Sequence, residues 1–245
     1  MTRRYVDIDG LSISYLESSQ KADKTLFLLH GNSNAATLWR HQFNDPQLSS
    51  CRLVAFDLPG HGCSAGSGNP NETYNVIAMG AILGNAIHLL ARRQPFVLAG
   101  LSLGSNILAE MLAGDLSPNG IILVSSTIVG KDISPSQVVM EGASASVLYE
   151  DNPPREAVAR YLDECMYAGD PADKQRVLRE YLDVKPGFRS SLKASIPAGL
   201  YSDEIGILRR RQLPVLSIYG LKEKITNPHL LDAIPLPYWR GGIIK

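Results

Sequence analysis

Residues 96–104 read Phe-Val-Leu-Ala-Gly-Leu-Ser-Leu-Gly and are the most informative stretch of this sequence. The first four residues are apolar, which is typical of a strand buried on both faces. The next five match the pattern Gly-x-Ser-x-Gly, and helical spacing continues over residues 103–113. The pattern alone is weak evidence, because this composition gives a chance match in roughly one of six such chains. Its position between a strand and a helix makes it strong.

A strand that turns abruptly into a helix predicts an exposed serine hydroxyl at the corner. Such a turn would hold Ser102 in a strained backbone conformation, and the flanking glycines would keep the neighbouring chain from clashing. The backbone N–H of Leu103 would lie at the helix N-terminus, where free donors stabilise a developing oxyanion. The pattern thus predicts a nucleophile at Ser102; the alternative is a glycine-flanked packing turn.

Apolar runs alternate with helical segments on both sides of this motif. Residues 5–16 alternate apolar and polar side chains around Asp9-Gly10, which predicts an antiparallel hairpin. Continuous apolar runs occupy residues 25–29, 52–56, 96–99, 121–124 and 214–219, and helical segments occupy residues 35–43, 74–93 and 103–113. This order predicts an α/β fold with a doubly wound, mostly parallel sheet that begins with an antiparallel hairpin.

The segment 131–211 lacks strand patterns and has helical spacing instead, with Pro154 and Pro171 where helices would start. We interpret it as a helical lid inserted between a first part of the core, residues 1–130, and a C-terminal part, residues 212–245. Ligands of open α/β sheets bind at the carboxyl edge of the strands, so the lid would cover the site. The alternative is a helical subdomain without substrate contact.

Composition favours a small uncharged ligand. The 24 basic and 24 acidic residues cancel, so no net field favours nucleic acid or an anionic membrane. We find no signal peptide, no apolar run long enough to span a bilayer and no Cys-x-x-Cys pair, and we expect a cytoplasmic protein. No metal-ligand spacing or dinucleotide-binding pattern occurs in the sequence, so no cofactor and no metal is predicted. The oligomeric state is left open.

Three stretches together resemble the α/β-hydrolase superfamily over nearly the whole chain. They are His-Gly-Asn-Ser-Asn at residues 30–34, Asp-Leu-Pro-Gly-His-Gly-Cys-Ser at residues 57–64, and the Ser102 motif. The resemblance implies a serine nucleophile at Ser102 and an oxyanion hole formed by the backbone amides of Asn32 and Leu103. It also implies that Glu223 is the acid of the triad, where the family more often has aspartate. Asp57 and Cys63 are expected to be residues of a structural turn.

The catalytic histidine of the family has no obvious counterpart in this sequence. A triad without histidine should lose several orders of magnitude in rate. The family's histidine follows the last strand, and here residues 242–245 resemble the end of that strand. We therefore expect a fragment of a longer protein, or the product of a truncated gene, more than a naturally shortened protein. Each of the five histidines is predicted to have another role. His30 and His61 are expected in turns, and His41 and His88 on helices, with His88 in the core. His229 is expected at the start of a helix over residues 228–232.

These residues predict a serine hydrolase of ester or lactone type, related to esterases and lactonases, that acts on a small neutral substrate through an acyl-enzyme on Ser102. Its activity would be impaired if the histidine is absent. The alternatives are a non-catalytic protein that binds a small molecule and a C–C bond hydrolase.

Overall fold

The computed structural model describes residues 1–19, 22–166 and 171–244. Its strands form one eight-stranded sheet in the order β1-β2-β4-β3-β5-β6-β7-β8. The strands are β1 Thr2–Ile8, β2 Leu11–Glu17, β3 Thr25–Leu29, β4 Arg52–Phe56, β5 Phe96–Leu101, β6 Gly120–Val124, β7 Val215–Ile218 and β8 Tyr238–Ile244. The predicted fold is confirmed: β1, β2 and β4 pair antiparallel, and all later neighbours pair in parallel.

The opening hairpin forms at the predicted dipeptide. Asp9 and Gly10 have φ angles of 52° and 84°, the left-handed conformation that both central residues of a type I′ turn require. This turn sets the register of β1 against β2, with Ile8 opposite Leu11.

Helices cover both faces of the sheet. The α-helices are α1 Arg40–Phe43, α2 Pro70–Thr73, α3 Val76–Leu90, α4 Leu103–Met111, α5 Arg155–Cys165, α6 Pro171–Leu182, α7 Phe188–Ser195 and α8 Glu204–Arg211; 3₁₀ turns lie at Ala36–Trp39, Pro46–Leu48, Pro135–Gln137 and Ala145–Tyr149. Two predicted helices were wrong. Residues 35–43 divide into a 3₁₀ turn and one α-helical turn, and residues 228–232 form turns. Among the described residues, no helix is long and apolar enough to cross a bilayer.

The core lies on both sides of the sheet because consecutive strand residues point to opposite faces. Phe27, Leu29 and Phe56 belong to the larger cluster, beneath α3 and α4. Leu28 and Ala55 belong to a smaller cluster that includes Trp39 on the other face. Full burial on both faces explains why the parallel strands are continuously apolar in sequence.

The segment 131–211 contains the last four helices and, within its described residues, no strand. As predicted, Pro154 directly precedes α5, and Pro171 is the first residue of α6. A separate apolar cluster, including Leu148, Leu162 and Tyr181, holds α5 and α6 together. The last helix, α8, instead packs against α4 of the core. The assignment of this segment as a lid remains a prediction.

Candidate active site

Ser102 occupies the corner between β5 and α4, with φ 48° and ψ −120°. A non-glycine residue in this region is strained, and such strain persists only where the surroundings enforce it. Two hydrogen bonds hold the corner: the Ser102 N–H donates to the carbonyl of Val124 at 2.9 Å, and the Ser105 hydroxyl donates to the Ser102 carbonyl at 2.6 Å. The sequence pattern therefore corresponds to a tight, externally braced turn.

The two glycines of the motif allow close backbone approach. A Cβ on Gly100 would lie 2.4 Å from the carbonyl oxygen of Gly104, and a Cβ on Gly104 would lie 2.7 Å from the carbonyl oxygen of Leu29. Backbone atoms cannot yield at such distances without a shift of the chain. Both glycines are therefore required by packing around the corner.

Ser102 lines a cavity of about 110 Å³ beside the strand ends. Asn32 and Leu103 line the same cavity, so three of the four predicted site residues come together there. The remaining wall is mostly apolar, and much of it belongs to the segment 131–211, including Val138, Leu148, Leu192, Ile196 and Tyr201.

The backbone amides of Asn32 and Leu103 make no hydrogen bond within residues 1–19, 22–166 and 171–244. Leu103 is the first residue of α4, and the first amides of a helix have no intrahelical acceptor. The Asn32 side chain donates to the carbonyl of Leu148 at 2.9 Å and accepts from the Ser33 hydroxyl at 2.7 Å. These contacts fix the loop that carries Asn32 beside the Ser102 corner.

Two buried histidines support this loop as neutral rings. The Ser33 N–H donates to Nε2 of His61 at 3.1 Å, so that the ring proton lies on Nδ1 and points to the carbonyl of Pro59 at 3.1 Å. His30 repeats the pattern, accepting from the Leu58 N–H at 3.0 Å. Burial lowers the pKa of His30 to about 4 and the pKa of His61 well below its ordinary value. Both rings therefore act as fixed acceptors and not as bases.

Asp57 anchors the neighbouring turn. Its fully buried carboxylate accepts from the backbone amides of Ala36 at 2.7 Å and Cys63 at 3.1 Å, and from the Ser14 hydroxyl at 2.9 Å. A Cβ on Gly62 would lie 2.4 Å from this carboxylate. The carboxylate thus lies in the turn that the sequence predicts. Cys63 lies in the same turn and is exposed.

Glu223 does not line the Ser102 cavity but a wider cleft of about 950 Å³, lined also by Ser125 and Gly220. Its Oε2 accepts from the Ser125 hydroxyl at 2.7 Å. Its Oε1 accepts from the backbone amides of residues 224, 225 and 226 at 3.0–3.2 Å. This carboxylate is thus held rigidly after β7, with one face on the open cleft.

No histidine of the described chain lines either cavity. His41 lies 3.9 Å from Asp173, and His229 pairs with Asp232 at 2.7 Å on the surface. His88, which the sequence placed in the core, is exposed and pairs with Asp115 at 2.8 Å. It falls on the solvent face of α3, opposite the apolar side formed by Leu83 and Ile87.

Sequence reasoning missed two buried ionisable groups near the site. Arg189 on α7 donates from Nε to the Ser33 hydroxyl at 3.0 Å. Glu204, the first residue of α8, is fully buried and lines the Ser102 cavity. Neither belongs to a local motif, because each meets partners distant in sequence. The described residues contain no cluster of three or more His, Cys, Asp or Glu side chains arranged to hold a metal ion.

Comparison with known proteins identifies similar sequences and folds. Residues 26–236 match the alpha/beta hydrolase family. The structure of the N-acyl homoserine lactonase AidH complexed with N-butanoyl homoserine superposes with a TM-score of 0.89 at 20% identity, over 100% of this chain and 88% of that one. The esterase RhEst1 from Rhodococcus sp. ECU1013 gives 0.76 at 26% identity, over 98% and 90% of the two chains. A thermophilic esterase from Thermogutta terrifontis gives 0.75 at 16% identity, over 100% and 89%. No curated protein matches the sequence.

Proposed function

Because the chain belongs to the alpha/beta hydrolase family, we propose that it hydrolyses small, uncharged carboxylic esters or lactones through an acyl-enzyme on Ser102. The observation that carries this proposal is the strained Ser102 corner, which lines one cavity with the two residues whose amides are free to donate, Asn32 and Leu103. Esterases and a lactonase among the similar structures support the substrate class.

In the proposed cycle, Ser102 Oγ attacks the carbonyl carbon and would give its proton to an imidazole base, a group that no histidine of the described residues brings to either cavity. The negative charge that forms on the carbonyl oxygen is stabilised by the amides of Asn32 and Leu103. The C–O bond to the alcohol then breaks, the alcohol takes the proton, and water releases the acid by the same route. Glu223 would orient an imidazole base across the wider cleft, as the acid does in a serine triad.

The size of the cavity favours short acyl groups. An apolar cavity of about 150 Å³ holds benzene, and the Ser102 cavity is somewhat smaller, at about 110 Å³. Apolar residues of the segment 131–211, such as Val138 and Leu192, would pack against the acyl chain. This segment then serves as a lid over the site.

The positions of the five histidines favour a second candidate, a protein that binds such a ligand without turnover. His30 and His61 are neutral, buried acceptors in turns, and the other three are exposed side chains near carboxylates. Without an imidazole beside it, a serine hydroxyl is a poor nucleophile.

A fluorophosphonate probe separates the two candidates, because it reacts with activated serines. We expect labelling of the intact protein, and hydrolysis of p-nitrophenyl acetate, and we expect both to vanish in Ser102→Ala. Ser117→Ala is the matched control, since Ser117 is exposed and outside the cavity. Its labelling and hydrolysis should equal those of the parent.

The absence of labelling in a cooperatively folded protein that still binds short esters would overturn the proposed hydrolysis and support the binding protein. Labelling that persists in Ser102→Ala would place the reactive group elsewhere and contradict the assignment of the nucleophile.

A further inference from the structure

Glu204 lines the Ser102 cavity and has one carboxyl oxygen that is not engaged by any described residue. Its Oε2 accepts from the backbone N–H of Val129 and from the side-chain amide of Asn106, both at 2.8 Å. Its Oε1 is buried and has no hydrogen-bond partner within the described part of the chain. Leaving a buried polar atom unpaired costs free energy, on the order of 1–3 kcal/mol. A group that remains so at a cavity wall is suited to pair with a ligand.

The position of Glu204 relative to the nucleophile follows from Asn106. Asn106 comes four residues after Ser102 on α4, or about one helical turn of 5.4 Å. Because Glu204 bonds to the side chain of Asn106, its carboxyl group lies beside the part of α4 that is about one helical turn from the Ser102 corner. A substrate would reach it with atoms a few bonds from the scissile bond.

The carboxyl group is a hydrogen-bond donor at neutral pH. Burial, together with the nearby Glu110 carboxylate on α4, raises the pKa of Glu204 to about 8, against the opposing effect of the Val129 and Asn106 donors. Glu110 itself accepts from the Ser202 amide at 2.6 Å and hydroxyl at 2.7 Å. Since Oε2 already receives two N–H groups, the proton of the neutral acid lies on Oε1.

We propose that Glu204 is a substrate-binding residue whose Oε1–H donates a hydrogen bond to a second acceptor oxygen of the substrate. The preferred substrates are then oxo-substituted acyl esters or lactones rather than plain alkanoyl ones. This inference rests on the proposed function only in taking the ligand to be an ester or lactone. It does not require that the protein hydrolyses that ligand.

Binding can be measured without hydrolysis in the Ser102→Ala protein. Methyl 4-oxopentanoate and methyl pentanoate form a matched pair that differs in one carbonyl oxygen, and ligand-observed NMR titration gives Kd for each. At pH 6.5 we expect the oxo ester to bind about tenfold more tightly, the magnitude of one hydrogen bond to a buried group. Glu204→Leu should remove this preference.

Two further variants keep the test decisive. Glu204→Gln should retain the preference for the oxo ester at every pH, because its amide donates as the neutral acid does. The protein that keeps Glu204 should lose this preference as the pH rises above 8. Thr226→Val is the matched control: Thr226 Oγ1 is the other buried side-chain atom without a partner at this cavity within the described residues.

An unchanged preference in Glu204→Leu, a preference of the Glu204 protein that does not vary with pH, or its loss in Thr226→Val alone would each overturn the assignment. Discrimination by the Ser102→Ala protein together with no hydrolysis by the parent would leave the role of Glu204 standing and remove the proposed function. Hydrolysis without discrimination would do the reverse.

Discussion

At the scale of single residues, Gly104 is a position where close packing excludes a side chain. A Cβ there would lie 2.7 Å from the Leu29 carbonyl oxygen and 2.8 Å from that of His30. We therefore predict that Gly104→Ala shifts the start of α4 away from β3 and lowers the free energy of unfolding by about 1–3 kcal/mol. Urea denaturation measures this change through the midpoint.

The matched control for Gly104 is Gly68, around which a Cβ would meet nothing within 4 Å. Gly68→Ala should leave the midpoint nearly unchanged. Equal midpoints for Gly104→Ala and the parent would show that the corner tolerates a side chain, and would contradict the close-approach explanation of the motif.

The predictability of the site depends on how local its residues are. Ser102 and Leu103 share one motif, and Asn32 lies in a short loop that the family resemblance implies, so the sequence could predict that these three residues come together at one cavity. Glu204 could not be predicted, because its partners Asn106 and Val129 are 98 and 75 residues away. From the sequence alone, a buried glutamate at the start of a helix cannot be distinguished from a solvent-exposed one.

At the scale of elements, α7 braces the loop that carries Asn32. Arg189 donates to the Ser33 hydroxyl at 3.0 Å and to the Tyr181 carbonyl at 2.5 Å, and its guanidinium lies 4.0 Å from the centre of the Tyr181 ring. Ser33 in turn donates to Asn32. The buried guanidinium thus connects the segment 131–211 to the proposed oxyanion hole.

We predict that Arg189→Met lowers kcat for short esters about tenfold with little change in KM, because the oxyanion amides act in the transition state. Methionine keeps the approximate length of the side chain but cannot donate. Lys193→Met on the exposed side of α7 is the control and should leave kcat unchanged. A rise in KM at constant kcat would show that Arg189 shapes ligand binding and does not position the loop.

Element boundaries were predictable where packing is simple. The parallel strands were found because burial on both faces makes them continuously apolar. Residues 35–43 resembled one helix, but Ala36 donates its backbone N–H to Asp57 at 2.7 Å, and the chain tightens into a 3₁₀ turn there. His88 was misplaced because α3 is apolar nearly all round in sequence, which conceals its solvent face.

At the scale of the whole molecule, buried titratable groups shape the dependence of stability on pH. Folding lowers the pKa of His30 from 6.5 to about 4 and also lowers the pKa of His61 well below 6.5. Their contribution is present above pH 6.5 and is lost as the pH falls below it. Folding raises the pKa of Glu204 from 4.5 to about 8, so its contribution is complete below pH 4.5 and declines as the pH rises through 8.

These opposite effects predict maximal stability near pH 6.5, and a variant separates them. In Glu204→Gln the decline between pH 6.5 and 8 should disappear, while the acid-side decline from the two histidines remains. The parent should lose on the order of 2 kcal/mol over that alkaline interval. Urea midpoints at pH 5, 6.5 and 8, with m-values to verify equal exposure on unfolding, measure both slopes. If the free energy of unfolding falls equally in parent and variant between pH 6.5 and 8, Glu204 is already ionised in the folded protein. Its Oε1 then has no proton to donate into the cavity.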